Sequence, residues 1–126
     1  MLGSKDVAAT IPVKDLEVAQ KFYQETLGLT PVHNEDDQAI TYRSGNTEIL
    51  VYESQFAGTN KATAATWGVG NDIEREVQAL KAKGVTFEHY NNMPNTTVQG
   101  DLHVSGDMKV AWFKDPDGNI HALINK

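Results

Sequence analysis

Short apolar runs and an amphipathic segment follow each other twice along the chain, in the same order. The first run, 7–13, is apolar and rich in β-branched residues, which is typical of a strand. Asp15 then stands where a helix N-cap is expected, apolar residues recur at three- and four-residue spacing, and Gly28 follows as a C-terminal cap. Three more strands are predicted after this glycine, at 29–33, 39–43 and 47–53.

The second series begins at residue 62 with another predicted strand, which ends at residue 69. A helix from Asp72 to Gly84 comes next, and strands follow at 85–89, 109–114 and 119–124. The matched order and caps predict two tandem βαβββ modules, at about 5–55 and about 62–126, within one domain of residues 1–126. The expected architecture is α+β, with the two modules forming a concave, half-barrel-like sheet and the helices outside.

One segment of the second module, about residues 90–106, has no counterpart in the first. It is polar and contains glycine, and a loop of this length is either a functional lid or a solvated excursion from the fold. Both interpretations stay open from the sequence. The run Leu102-His103-Val104 adds a short strand within the segment in either case.

Composition narrows the classes of function. The chain has 126 residues, a formal net charge of −6 and no cysteine. The lack of cysteine excludes thiolate metal sites, a cysteine nucleophile and disulfides. The acidic balance argues against a nucleic-acid partner and mildly favours a cationic ligand. Since no apolar run resembles a signal peptide or reaches membrane length, we expect a cytoplasmic protein with no membrane partner.

Two groups of motifs, one near each end of the chain, carry a resemblance to a known family. They are Val13-x-Asp15-Leu16, Phe22-Tyr23 and Leu27-Gly28-Leu29, and then Phe113-x-Asp115-Pro116-Asp117-Gly118-Asn119. In this order and spacing they resemble the vicinal-oxygen-chelate superfamily of glyoxalases, extradiol dioxygenases, fosfomycin-modifying transferases and bleomycin resistance proteins. The resemblance implies the two-module fold, and it leaves the activity open because this fold hosts several.

The resemblance also locates the family's metal ligands. In metal-using members, four strand positions supply histidine and carboxylate donors to one divalent ion. These positions fall here on Ala8, Leu50, Ala64 and Ala122. Alanine and leucine offer no donor atom, and an alignment shift of one residue adds His121 as the only credible donor. We therefore expect neither a metal nor another cofactor.

The two-residue alternation of strands assigns the remaining side chains of the predicted cavity face. The predicted ligand-binding residues are Thr10, Glu48, Tyr52, Thr66 and Trp112, with His103 added from the 90–106 segment. Tyr42 is a further candidate for the cavity wall. Small residues on the floor leave space, while aromatic walls suit a planar or cationic ligand. Trp112 as a core residue, and Glu48 as a solvated carboxylate or a base, stay open as alternatives.

The histidines form no His-x-His or Glu-x-x-His motif; they are His33, His89, His103 and His121. Strand alternation turns His121 away from Ala122, and a structural or surface role is favoured for all four. His103, which lies near Asp101 and Asp107 in the polar segment, is the strongest candidate among them for chemistry.

These observations favour a metal-independent protein that binds a small organic ligand, cationic or aromatic in character, as bleomycin resistance proteins do. The resemblance further implies a homodimer. The alternative is an enzyme of the same superfamily, a lyase, isomerase or dioxygenase, which works without metal or recruits one through a non-standard set. The candidate donors for that set are His103, Asp101, His121 and Glu48. A third hypothesis is an interaction module with no small-molecule role.

Overall fold

The computed structural model describes the backbone of residues 1–126 and all side chains except those of residues 33–36. The side chain of His33 therefore lies outside the described residues. The chain forms two compact units, Met1–Asn60 and Lys61–Lys126. None of the helices in the described part of the chain reaches the length and apolarity that crossing a membrane requires.

The first unit consists of a four-stranded sheet and a helical segment. Its elements are β1 (Ala9–Val13), α1 (Leu16–Gln20), a π-helical continuation (Lys21–Thr26), β2 (Thr30–Asp36), β3 (Ala39–Ser44) and β4 (Thr47–Glu53). The strands lie in the order β1-β4-β3-β2. β1 runs parallel to β4, and the other neighbours are antiparallel. This is the pattern expected of one βαβββ module.

The helical segment of the first unit begins and ends as its caps predict. The Asp15 carboxylate accepts the backbone N–H of Glu17 at 2.8 Å, which satisfies one of the helix's unpaired donors. Gly28 has a φ of 76°, a conformation that glycine adopts without steric cost. The segment buries Ala19 and Tyr23, and the Tyr23 ring stacks on that of Tyr42 in β3 with centroids 6.1 Å apart.

The second unit repeats this topology with more strands. Its elements are β5 (Thr63–Gly68), α2 (Ile73–Ala82), β6 (Phe87–Glu88), β7 (Thr97–Gln99), β8 (Leu102–Ser105), β9 (Met108–Lys114) and β10 (Ile120–Ile124). The order is β5-β10-β9-β8-β7, with β5 parallel to β10. β6 and β8 both pair with β9 and together take the place that β2 has in the first unit. The α+β class and the duplicated βαβββ order are confirmed.

The start of α2 differs from that of α1. Asp72 occupies the N-cap position after a short 3-10 turn, but among the described residues its carboxylate accepts no capping hydrogen bond. The helix is held instead through its apolar side, on which Ile73, Val77 and Leu80 are buried. Gly84 follows with a φ of 93°, as the sequence predicts for its C-terminus.

The 90–106 segment belongs largely to the sheet. β7 and β8 form an antiparallel hairpin, and β8 pairs with β9, so the segment extends the sheet by two strands. The predicted strand Leu102-His103-Val104 lies within β8. The segment therefore brings His103 beside the central strands of the second unit.

Candidate functional site

The second sheet has two faces of different character. On one, Trp67, Phe113 and His121 bring their rings together, with centroid distances of 5.4 to 6.2 Å. On the opposite face, which we call the open face, register places Trp112 directly beside Ala122, and Ala122 beside Thr66. Glu88 of β6 lies on the other side of Trp112. Residues paired across a sheet share a face, so these four side chains form one row.

Three rings meet on this open face, which we call the Tyr90–His103–Trp112 cluster. His103 and Trp112 meet edge to face with centroids 4.8 Å apart, and Tyr90 and Trp112 do so at 5.4 Å. Tyr90 and His103 are 5.8 Å apart. Edge-to-face pairs at such distances stabilise one another and leave flat surfaces for a further ring. Since Tyr90 and Trp112 are half-buried, part of this aromatic surface is accessible.

His103 is the polar centre of the cluster, and its hydrogen bonding fixes its protonation. Only 2% of the residue is exposed, and its Nε2 accepts the backbone N–H of Tyr90 at 2.8 Å. The proton of the neutral ring therefore lies on Nδ1. Burial lowers the pKa of His103, which keeps the ring uncharged at neutral pH.

The second ring nitrogen of His103 has a different environment. Nδ1 is buried and has no partner at hydrogen-bond geometry among the described residues. The Val110 backbone opposite is nevertheless near enough to oppose the lowering of the pKa. Because the Nε2 lone pair is already used, His103 is suited to donating a hydrogen bond and poorly placed to act as a general base.

Trp112 crosses the sheet to reach β5. Its indole Nε1 donates a hydrogen bond to the hydroxyl of Thr63 at 3.1 Å. β10 lies between these two strands, with Ala122 opposite Trp112 and Ile120 opposite Thr63, so the ring passes over β10 between Ala122 and Ile120. Ala122 is only 3% exposed although its side chain is on the open face. Ala122, which is paired with Trp112, is thus buried on the face that the indole crosses.

An ion pair borders the cluster. The Lys114 ammonium lies 3.1 Å from the Glu88 carboxylate. Burial, followed by the Glu88 charge, raises the pKa of Tyr90, while Lys114 lowers it. The Tyr90 phenol is therefore protonated at neutral pH and available as a hydrogen-bond donor. The site thus combines flat apolar surface with one carboxylate, one ammonium and one neutral donor, the Tyr90 hydroxyl, while the Nδ1 atom of His103 is buried beneath it.

The predicted site residues divide between the two units. Thr66, Trp112 and His103 share the open face of the second sheet, where the structure brings Trp112 and His103 into contact. Thr10, Glu48 and Tyr52 belong to the first unit and share the corresponding face of its sheet, with Thr10 beside Leu50 and Glu48 beside Arg43. Glu48 is exposed and Tyr52 half-buried. Their role in binding stays a prediction.

One predicted wall residue is wrong. Tyr42 is 0% exposed, stacks on Tyr23 and donates its hydroxyl to Gln24 Oε1 at 3.2 Å. Burial raises its pKa to about 12. Its neighbours in β3 alternate with it, so Thr41 faces the open side and Tyr42 the helical segment.

Two residues of the site escaped the sequence analysis. Tyr90 was placed in the loop, although the alternation Thr86, Glu88, Tyr90 continues the open face of β6 by one step. Thr63 was missed because strict alternation from Thr66 turns it to the opposite face. The pairing of β5 with β10 skips Ala64, and this β-bulge changes the phase of the alternation.

His121 has the structural role that its alternation predicts. It is 0% exposed and packs against Trp67 and Phe113 on the face opposite the cluster. Burial lowers its pKa to about 4, against a smaller opposing effect of Asp115. The Asp115 carboxylate accepts the backbone N–H groups of Asp117 and Asn119 at 2.9 and 2.8 Å and so shapes the turn before β10.

A groove of about 420 Å³ lies apart from the cluster, between α2 and the β7–β8 hairpin. Its charged groups are paired. Lys81 is 2.7 Å from Asp101, which also lies 2.9 Å from His89, and Lys109 is 3.4 Å from Glu74. Since these ion pairs neutralise one another, the groove offers no concentrated charge to a ligand, and we place the site at the aromatic cluster.

The residues at the family's metal positions do not fit a divalent ion. Ala8 and Ala64 are exposed, Leu50 is half-buried, and Ala122 is buried. None of these side chains carries a donor atom. Among the side chains that the structure describes, no three histidines or carboxylates gather as a metal site requires.

Comparison with known proteins defines the class to which this fold belongs. A model of the Glyoxalase/Bleomycin resistance protein/Dioxygenase superfamily matches residues 7–123, so the chain belongs to this superfamily. The uncharacterized protein YurT of Bacillus subtilis (strain 168) is 28% identical over 140 residues, which cover 97% of this chain and 99% of YurT.

Two solved structures share the fold at lower identity. An integron cassette protein from the mobile metagenome of the Halifax Harbour sewage outfall has a TM-score of 0.71 at 20% identity, over 97% of this chain and 99% of its own. A mutant of the fosfomycin resistance protein FosX from Listeria monocytogenes, complexed with Mn(II) and 1S,2S-dihydroxypropylphosphonic acid, has a TM-score of 0.71 at 17% identity. That match covers 97% of this chain and 90% of the FosX chain.

Proposed function

We propose that this protein binds a small organic ligand at the Tyr90–His103–Trp112 cluster and does so without a metal ion. The observation that carries the proposal is the meeting of three rings on the open face of the second sheet, with two of them partly accessible. A binding site of this kind gains its energy from burial of flat apolar surface.

The chemistry around the cluster supports a planar ligand, aromatic or cationic. The faces of indole and phenol rings attract cations, and they carry this preference, because the Glu88 carboxylate next to Trp112 is already paired with Lys114. His103 adds no positive charge that would repel a cation, because its buried ring is neutral. The net charge of −6 acts in the same direction at longer range.

Metal independence is supported by what stands at the four ligand positions of the family. Alanine occupies three of them and leucine the fourth. On this basis the protein is a binding protein in the manner of the bleomycin resistance members of its superfamily. We also infer a homodimer, which light scattering of the purified protein over a range of concentrations tests; a monomer throughout that range contradicts it.

A thermal-shift screen in the presence and absence of EDTA tests the proposal. The probes are bleomycin and a set of planar cations such as N-methylquinolinium and N-methylacridinium. At least one probe is expected to raise Tm equally with and without EDTA. Trp112→Leu should abolish the shift. Phe56→Leu, at an exposed residue of the first unit outside the predicted site, serves as the matched control for loss of an aromatic side chain.

Two outcomes contradict this function. A ligand-induced rise in Tm that disappears with EDTA, or a tightly bound transition metal found by elemental analysis, overturns metal independence and favours the enzyme alternative. A shift of the same size in the Trp112→Leu protein overturns the location of the site.

A further inference from the structure

The indole of Trp112 occupies a place that suits a ligand ring. We propose that the surface over Ala122 is a ring-binding subsite, that Trp112 fills it in the ligand-free protein, and that a flat ring with an N–H group at its edge takes the place of the indole. The proposal deepens the function above and rests on it. It names the ligand class as planar heterocycles with a ring N–H donor.

The hydrogen bond of Trp112 defines the shape of the subsite. The donor is on β9 and the acceptor, Thr63, is on β5, with β10 between them. The ring therefore spans the width of one strand, and Ala122, opposite Trp112, is only 3% exposed. A surface that accepts an indole at this depth has the dimensions of a bicyclic ring.

The backbone of β5 is shaped to supply the acceptor. Between Thr63 and Ala65 the pairing with β10 shifts by one residue at Ala64. Bulges of this kind re-aim side chains at functional sites. Here the bulge turns the Thr63 hydroxyl to the open face, where it would otherwise point to the other side of the sheet. The hydroxyl therefore offers an acceptor to a ring that reaches from Ala122 towards Ile120, the residue opposite Thr63.

Ala122 and the half-buried Ile120 form the floor beneath the indole, opposite Trp112 and Thr63 respectively. Ala122 is flanked by Thr66 across the strand pair, and Ala64 lies at the bulge. The first unit lacks this arrangement, since Leu50 and Thr41 stand at the positions of Ala122 and Trp112. Of the two rows, the one in the second unit therefore combines an alanine on the central strand, a hydroxyl acceptor on one neighbouring strand and a large ring on the other.

Displacement of Trp112 is feasible because its fixed contacts are few. The residue is half-buried, and a single neutral hydrogen bond, which contributes modestly in net terms, joins its ring to β5. Its other ring contacts, with Tyr90 and His103, lie on the side away from β5. A rotated Trp112 would still stand beside the cluster and stack on the ligand that replaced it.

Truncation of Trp112 tests the subsite with a defined probe. Trp112→Ala should bind free indole, measured by thermal shift and by calorimetry, whereas the wild-type protein, whose subsite is filled, should bind it at least about tenfold more weakly. In Trp112→Ala, indole should bind about fivefold more tightly than 1-methylindole, which lacks the N–H donor. Adding Thr63→Val should remove that preference. Adding Thr97→Val, at an exposed threonine on the opposite face of the sheet, is the matched control that should keep it.

A second measurement tests the subsite without the Trp112→Ala protein, in case that variant fails to fold. Trp67→Phe leaves Trp112 as the single tryptophan of the chain. In this background Thr63→Val should increase the quenching of Trp112 emission by acrylamide, because the indole loses its hydrogen bond to β5. Unchanged quenching, an absence of indole binding in a folded Trp112→Ala protein, or equal affinity for both indoles overturns the subsite. Because the planar-cation screen uses the wild-type chain, it can succeed while the indole experiment fails, and the two proposals are therefore separable.

Discussion

The open faces of the two units show how one topology supports different surfaces. In the first unit the row across the central strands is Thr10, Leu50, Thr41, and in the second it is Thr66, Ala122, Trp112. The large side chain stands on the central strand in one row and on its neighbour in the other. A small residue on the central strand, Ala122, leaves space for the neighbouring indole to cross that strand. In the row of the first unit, Leu50 occupies this space.

On the helix-facing sides of the two sheets, the second unit has a polar residue where the first unit has an aliphatic one. His121 of β10 stands where β4 has Ile49, and each is paired with an aromatic residue of the adjacent strand, Phe113 or Tyr42. Both positions are buried. An imidazole in the place of an aliphatic side chain gives the second unit a sensitivity to acid that the first unit lacks at this position.

That difference predicts the largest effect, a loss of stability at low pH. The pKa of His121 is about 4 in the folded protein and near its ordinary value of 6.5 when unfolded. The unfolded chain therefore binds more protons below this value, and stability falls as the pH drops from about 7 to 4. The expected loss is about 3 kcal/mol, measured by urea unfolding at a series of pH values.

His121→Leu, which copies the aliphatic character of Ile49, isolates this contribution. The variant should lose much less stability than the wild-type protein between pH 7 and 4, even if its stability at pH 7 is lower. The lowered pKa of His103 acts in the same direction in both proteins and so cancels from the difference. Parallel pH dependences in the two proteins contradict the assignment.

Exchange of side-chain sizes on the open faces has a smaller expected effect. Ala122→Leu should destabilise the protein by about 2 kcal/mol, because a larger side chain beneath the indole overpacks the site. It should also break the Trp112–Thr63 hydrogen bond, seen as a red shift of tryptophan emission.

The reverse exchange in the first unit is the matched control. Leu50→Ala should cost about 1 kcal/mol, less than a fully buried leucine would, because Leu50 is half-buried. Its emission spectrum should stay that of the wild-type protein. A red shift of equal size in both variants would show that the Ala122 change does not act through Trp112.

The helix caps predict the smallest effect. Asp15→Ala should destabilise by about 1 kcal/mol because it removes the hydrogen bond to the Glu17 backbone. Asp72→Ala should cost below about 0.5 kcal/mol, since it removes a charge near the start of α2 and an exposed ion pair with Arg75 at 3.7 Å, each of which contributes little. Urea unfolding of the two variants at neutral pH measures these losses. Equal losses of unfolding free energy would contradict the difference between the two helix starts.

The fold was accessible from the sequence because its determinants are local. The cap at Asp15, the glycines that end both helical segments and the alternation within the long strands act over a few residues each. The same alternation correctly places Trp112, Ala122 and Thr66 on one face. Strand ends were less accurate, as at β6, which spans only Phe87–Glu88 of the predicted 85–89.

The site was less accessible because it depends on register and on one bulge. The meeting of His103 with Trp112 requires β8 to pair with β9, across a segment whose pattern resembles a loop. The aim of Thr63 depends on the skipped pairing at Ala64, which leaves no signature in a single sequence. Tyr42 was misplaced because an aromatic residue in a strand gives no indication of which face it occupies unless the register is known.

β6 and β8 pair with the same edge of β9, where the first unit has the single strand β2. This arrangement has a consequence for how such a protein diversifies. Tyr90 follows β6, His103 lies in β8, and the bond between them joins the two ends of the intervening stretch. Residues can be added or removed within that stretch while β9, β10 and the helix keep their pairing. The border of the site can therefore vary in length and sequence without a change in the pairing of β9 and β10, provided that Asp101 keeps its ion pair with Lys81 of α2.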